Sequence, residues 1–491
     1  MKPELRFCVV GAGTAGLISA LLLRRAFPLS LIDVVYSDDV GIVGVGEGST
    51  EHWSSLMRIM GWSPLQLIHQ TDATHKVGIR FEGWTEHTPS YFHSIRGNSQ
   101  INEFGFPMTY SGFVDQDRLA SDVTGILGVE DGWVAGVNPH SSVNQYHFDT
   151  FKLNNFMREH AKVLSINFIE GRVSGVVRSV SDGNIERVLL ESNVSIDTDF
   201  VIDASGFKRE ILSGHLDEDS WVSFSDFLLV DSAVAGPVSH SESDRILPFT
   251  RAVAQPFGWI WEIPTVSRRG RGYVYSSAHT SSEDAELALR MLPDCDSPSF
   301  RHFSFDPGYI SNPWKYNCCA VGLSSSFVEP LEATSIAVTI NQVLMLIQNL
   351  AGYSGDNTPS RNYNKLFADM MTNVLDMIRL HYLTDLKTSS FWVDANNMKV
   401  PDSLQEKLEI WQHRPPLASD FSNHWSIFKE SHFFHVAQGQ GLLGKDACST
   451  AIDRFNQRSL VESELTSLLL EKANNYRIQH AEALKKIFEV A

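Results

Sequence analysis

Two rhythms of apolar and polar residues divide this chain. Near its start a short apolar run, Phe7–Val10, precedes a glycine-rich turn and an apolar stretch from Leu17 to Leu23, which predicts strand, turn and buried helix. A second strand follows and ends near Tyr36 and Ser37. Residues 167–177 and 187–196 alternate apolar and polar positions as half-buried strands do. The apolar strands in DFVIDASGF (Asp199–Phe207) and CCAVGLSSSF (Cys318–Phe327) both run into glycine and small hydroxyl residues. Beyond Ser335 the rhythm changes. Ile336–Leu350, Tyr363–Tyr382 and Leu460–Phe488 carry apolar residues at three- and four-residue spacing, which predicts helices. Ser354–Ser360 and Cys295–Ser299 read as connecting loops, and no internal repeat is present. The expected fold class is α/β: a Rossmann-type module with mixed β-sheets over residues 1–345, and a mainly helical portion over 346–491 packed with it as one unit.

The first turn carries candidate chemistry. Gly11, Gly13 and Gly16 stand in GxGxxG spacing, with Thr14 and Ala15 between them, directly after a strand and opening a helix. Gly11 permits the tight turn, Gly13 lets the backbone approach a pyrophosphate, and Gly16 lets helix and strand pack closely. Free N–H groups at the helix start would then hold the pyrophosphate. An acidic residue is expected at the end of the second strand to bind a ribose hydroxyl. Here Asp33 lies inside the strand and Asp38 lies beyond it, with Tyr36 and Ser37 at the strand end. The segment VGIVGVGEGST, Val40–Thr50, is too glycine-rich for a helix and reads as an irregular strap, whose plain interpretation is a surface loop. Asp203, at the end of its strand, is placed on the cofactor side of the sheet, although a simple turn has the same composition.

Composition narrows the classes. At 491 residues the chain has length for about two to four domains. With 43% hydrophobic and 11% aromatic residues it can fill a large core. A net charge of −18 argues against a nucleic-acid partner, which requires a concentrated basic surface. Five scattered cysteines without CxxC spacing suggest neither a disulfide framework nor a zinc site, and a reducing cytoplasm is expected. No run of about 18 apolar residues and no signal pattern is evident, so neither secretion nor membrane insertion is expected.

Several motifs gain meaning only together. Trp259 and Trp261 in GWIWEIP stand two apart on an extended segment and face one side; alone, such a pair is usually core packing. Lys76 in HKVGIRFEGW would by itself be a surface lysine, and Glu332 in SSFVEPLEATSI an ordinary helix-start glutamate. In this order, with the GVGEGS strap (Gly44–Ser49) and HYLTDLKTSSFW (His381–Trp392), they resemble the flavin-dependent tryptophan halogenases and their relatives acting on indoles. The resemblance covers roughly residues 5–395.

The resemblance implies a glutathione-reductase-like fold that binds FAD. FADH2 and O2 would supply the oxidant that turns bromide or chloride into hypohalous acid, which then crosses a tunnel to a separate aromatic site. By it, Lys76 is the lysine that holds hypohalous acid or forms a haloamine, and Glu332 is the active-site glutamate that orients Lys76 and stabilises the cationic ring intermediate before its proton leaves. Thr334 and Ser335 match the pair whose amides bind halide. Ser335 replaces the usual glycine, which suggests bromide over chloride. Trp259 and Trp261 match the wall between flavin and substrate. Gly44, Val45 and Gly46 of the strap, and Val173, Leu323 and Ile336, match positions along the cofactor. The tryptophan-specific amino-acid clamp is not evident in Phe421–Gly441, which lacks paired tyrosines, so another electron-rich aromatic, an indole, is expected. His381, His432 and His435 lack partners at metal-ligand spacing and read as structural; no metal is expected. With no second nicotinamide-binding glycine motif, a separate NAD(P)H-dependent flavin reductase is implied as partner; a homodimer is compatible with the chain. The alternatives are a flavin monooxygenase that hydroxylates or epoxidises an aromatic, and a flavin-binding protein without turnover.

Overall fold

The computed structural model describes residues 5–41, 44, 47–94, 133–135, 145–217, 219–240, 245–455 and 477–490. Val45 and Gly46 of the strap and residues 460–476 of the expected last helix lie outside the described residues. The elements that position the site are, in chain order, strand β1 (Arg6–Val10), helix α1 (Thr14–Ala26), β2 (Leu31–Tyr36), β3 (Gly78–Glu82), β4 (Ser90–Ser94), β5 (Phe200–Asp203), β6 (Gly258–Pro264), β7 (Cys318–Ala320), α2 (Thr334–Leu350), α3 (Thr358–His381) and α4 (Glu430–Gly439).

Apolar residues fill β1, β5 and β7 almost without interruption because these strands are covered on both faces. They lie side by side in a six-stranded sheet, in the order Trp314–Lys315, β7, β5, β1, β2 and Asn167–Glu170. All neighbours in it are parallel except the first pair. This is the doubly wound arrangement the first turn predicts. Helix α1 runs back across the sheet and packs on α2, whose residues are buried on nearly every side.

A second sheet has seven strands, in the order Arg301–Ser304, Ser232–Ser239, Arg268–Tyr275, β6, Thr250–Gln255, β3 and β4. It is antiparallel apart from the pairing of Thr250–Gln255 with β3. One continuous hydrophobic cluster runs from Phe7 on β1 through Trp259 and Trp261 to Ile487 near the C-terminus, so the C-terminal helices share their core with the sheets.

Two sequence expectations need correction. Residues 167–177 form not one strand but two: Asn167–Glu170 extends the parallel sheet, while Val173–Arg178 turns away at Gly171 (φ 158°) to pair with Ile185–Leu190. The described tail likewise begins as strand Arg477–Gln479, paired with Trp133–Ala135, before helix His480–Val490. Period alone did not reveal either change of partner. Among the described residues one helical stretch, Leu331–Leu350, is long and apolar enough to cross a membrane, and most of it is buried inside the protein.

Candidate active site

All three glycine-bearing turns emerge from the carboxyl ends of adjacent parallel strands, β1, β5 and β7. That is where open α/β sheets bind nucleotides. Gly11 adopts φ 110°, and a Cβ there would lie 2.3 Å from the Ala204 carbonyl oxygen. On Gly16 it would lie 1.9 Å from the Gly11 carbonyl. Those contacts seal the turn; Gly13 differs, because a Cβ there would meet nothing within 4 Å. Gly13 caps α1 without a side-chain bond, no acidic residue stands in the first turn, and Thr14 and Ala15 follow it. The cradle thus leaves open backbone donors at a positive helix end, which fits the pyrophosphate of FAD.

The remaining predicted cofactor positions fall on several elements. Tyr36 ends β2 with the Arg158 guanidinium 4.2 Å above its ring, and Ser37 follows, partly buried. Asp33 is engaged with Asn167 Nδ2 at 2.8 Å. Gly44 lies against Thr150, whose Cγ2 would be 2.4 Å from a Cβ at that position. Leu323 sits in the short turn after β7, Ile336 in the first turn of α2, and Val173 in the separate three-stranded sheet. Asp203 ends β5, and its carboxylate accepts from Ser205 N and Oγ, from the N–H groups of Ile211 and Leu212 and from Ser324 Oγ, so that it braces the turn beside the cradle.

Lys76 occupies the link between strand Thr74–His75 and β3 and is only 1% exposed. Its Nζ donates to the Ser49 carbonyl at 3.0 Å. Burial pushes its pKa down to about 8, against the pull of Glu332 and Glu51. The strap closes directly over it, since a Cβ on Gly48 would lie 3.0 Å from Lys76 Nζ and 3.5 Å from Ala333 Cβ. The strap is therefore a physical bridge between Lys76 and the turn that holds Glu332.

Glu332 (φ 66°) and Ala333 (φ 53°) are both left-handed, a conformation that costs about 1–2 kcal/mol per non-glycine residue. The reversal breaks the chain between Pro330 and α2. It buries the Glu332 side chain and leaves the first N–H groups of α2, from Thr334 and Ser335 onward, without side-chain caps. Thr334 is buried and the Ser335 side chain is exposed. Glu332 Oε2 lies 2.8 Å from His93 Nδ1, and Oε1 lies 3.0 Å from His381 Nε2 without the alignment of a good hydrogen bond. Burial alone would raise the Glu332 pKa, but His93 and His381 outweigh it and hold the carboxyl below the usual range.

The two tryptophans project from β6, with ring centres 6.2 Å apart and exposures of 1% and 5%. Trp261 packs over Gly272 on the neighbouring strand, where a Cβ would lie 2.1 Å from its ring. Trp259 Nε1 donates to Glu329 Oε2 at 2.9 Å, and Tyr382 Oη donates to the same oxygen at 3.0 Å. Burial pushes Glu329 up to about 7, although both bonds favour its charged form.

Sequence reasoning singled out Lys76, Glu332 and the tryptophans but missed Glu329 and His93. Glu329 stands three residues before Glu332 in the run FVEPLEA, where a charged group among apolar neighbours was the available signal, and His93 follows Tyr91 and Phe92 in the strand SYFHS. His381 was read as a solitary structural histidine, whereas the fold sets it against Glu332.

The tryptophan halogenase family model matches residues 6–454. A tryptophan 6-halogenase of Streptomyces toxytricini, SttH, is 29% identical over 89% of each chain, and its crystal structure superposes with a TM-score of 0.89. The 7-chloro-L-tryptophan 6-halogenase KtzR of Kutzneria sp. is 31% identical over 83% of this chain and 85% of its own length. BrvH, a flavin-dependent halogenase from Brevundimonas sp., is 27% identical over 99% of both chains with a TM-score of 0.86.

Proposed function

This chain belongs to the tryptophan halogenase family and is a flavin-dependent halogenase, and from that premise we propose that it halogenates an electron-rich aromatic, an indole, with Lys76 and Glu332 as its catalytic pair. The observation that carries this reading is the strap: it bonds Lys76 through Ser49 and touches the Glu332 turn through Gly48. Both side chains are thereby confined to one buried place.

When bound, reduced FAD supplies, with O2, the oxidising equivalent that converts halide to hypohalous acid. A separate flavin reductase delivers the FADH2. The α1 cradle, Tyr36, Ser37 and the strap hold the cofactor. Trp259 and Trp261 form a rigid wall that keeps the aromatic substrate away from it. Lys76 donates a hydrogen bond that polarises the halogen–oxygen bond, and its lowered pKa gives it a neutral fraction for haloamine formation near neutral pH. Glu332 accepts the proton from the halogenated ring carbon as the C–H electron pair returns to the aromatic system.

Halide binds at the first N–H groups of α2, those of Thr334 and Ser335, where the helix end is positive. The Ser335 Cβ and hydroxyl beside those amides favour bromide. Equal chloride and bromide turnover under matched conditions would refute that preference. The reading as a whole is tested by mass spectrometry of an indole panel incubated with protein, FAD, NADH, a flavin reductase and bromide or no halide. A bromine isotope doublet, lost in Lys76→Ala while FAD binding persists, is expected. Oxygen insertion without halide would indicate a monooxygenase instead.

A further inference from the structure

His381 ends α3, and its ring is hydrogen-bonded at Nδ1 while Nε2 faces a carboxylate oxygen without an aligned bond. Nδ1 lies 2.8 Å from the Met377 carbonyl oxygen one turn back in the helix. A carbonyl only accepts, so the Nδ1 proton belongs to that bond. In a neutral imidazole the other nitrogen would then carry a lone pair. That nitrogen, Nε2, faces Glu332 Oε1 at 3.0 Å, with the two side chains 0% and 1% exposed. A lone pair set against a buried carboxylate oxygen leaves two acceptors and no donor, a cost of about 1–3 kcal/mol per unsatisfied group. No other hydrogen-bond donor reaches either atom among the described residues.

A proton between them removes the conflict, and the surroundings decide where it sits. The ring of His381 packs on Phe81 with centroids 4.6 Å apart, within reach of a cation–π attraction, and Trp84 lies edge-on beyond at 6.1 Å. Glu332 Oε2 already takes the short contact from His93. We propose that the proton resides on Nε2 of His381, so that His381 is an imidazolium paired with ionised Glu332 and serves as the positioning residue that keeps the buried base charged and aimed. The role in catalysis rests on the reading of Glu332 as the base; the protonation state does not.

The titratable groups around this pair are Lys76 ahead of β3, Tyr91 and His93 on β4, and His432 and His435 on α4, which both pack on His93; the bonded Glu329 and Tyr382 are neighbours of the pair in the chain. Burial pushes His432 down to about 3, so it stays neutral. Lys76 opposes a second positive charge, and the carboxylate in direct contact offsets it.

The first test is nitrogen NMR of the full chain labelled with 15N-histidine, with the His381 signals assigned by their loss in His381→Gln. Two protonated ring nitrogens at pH 7.5 are expected. A neutral ring protonated only at Nδ1 would overturn the proposal, whether or not any substrate is halogenated. The second is the pH profile of halogenation. In His381→Leu the acid limb should move up by about 1 pH unit or more, because a buried carboxyl left with His93 as its one imidazole partner protonates sooner. His381→Gln, whose amide can donate to Oε1 without charge, should recover part of that shift. An acid limb unmoved in His381→Leu, with circular dichroism showing a folded protein, would reduce His381 to a packing residue and overturn its positioning role.

Discussion

Replacing Lys76 by methionine should make the protein more stable and catalytically dead at once. Lys76 is 1% exposed, and burial lowers its pKa from 10.5 to about 8. Each pH unit between those values corresponds to about 1.4 kcal/mol, so housing the ammonium costs about 3 kcal/mol at neutral pH. Loss of the bond to the Ser49 carbonyl subtracts about 1 kcal/mol from the gain, and methionine refills most of the volume. Lys76→Met should therefore gain about 2 kcal/mol at pH 7.5. The sign reverses with pH. Between pH 8 and 10.5 the unfolded lysine holds its proton while the folded one releases it, so the wild type gains stability as pH rises through that window and Lys76→Met does not. Urea unfolding followed by tryptophan fluorescence at pH 7.5, 9 and 10 measures both effects. A methionine variant less stable than wild type at pH 7.5, or one with the same pH slope, would refute the claim that the lysine is held there at the expense of stability.

Glu332→Gln should lower the rate of product formation about 100- to 10,000-fold in single-turnover assays, the range for loss of a general base, and a drop under tenfold would remove that role. Gly11→Ala should destabilise the fold, because φ is 110° and a Cβ would strike the Ala204 carbonyl. Gly13→Ala should unfold at the wild-type temperature yet bind FAD more weakly in a fluorescence titration, because its Cβ meets only the space the cofactor would take. Glu329 is raised from 4.5 to about 7, so the wild type should lose up to about 3 kcal/mol of stability as pH rises from 4.5 through 7. Urea midpoints at pH 5 and 8 should show that loss absent from Glu329→Gln.

What the sequence determined by itself was whatever is local in the chain. The GxGxxG turn needs only a strand before it and a helix after it, so β1, α1 and the open Gly13 were legible from spacing. The apolar runs of β5 and β7 and the helical period of α2 and α3 were legible for the same reason: burial on one or both faces leaves its mark on the order of residues. Tertiary structure decided what comes from far along the chain. His93, Glu332 and His381 stand on a strand, a left-handed turn and a helix end, and no periodicity brings them together. Two chain reversals at Glu332 and Ala333 aim that carboxylate inward, and the amino-acid types at those positions do not announce a positive φ. Asp203 shows the converse. Its place at a strand end suggested closeness to a cofactor, and only the fold shows that its oxygens take five internal donors, four from its own turn and one from Ser324 on the turn after β7, because a buried carboxylate must find partners.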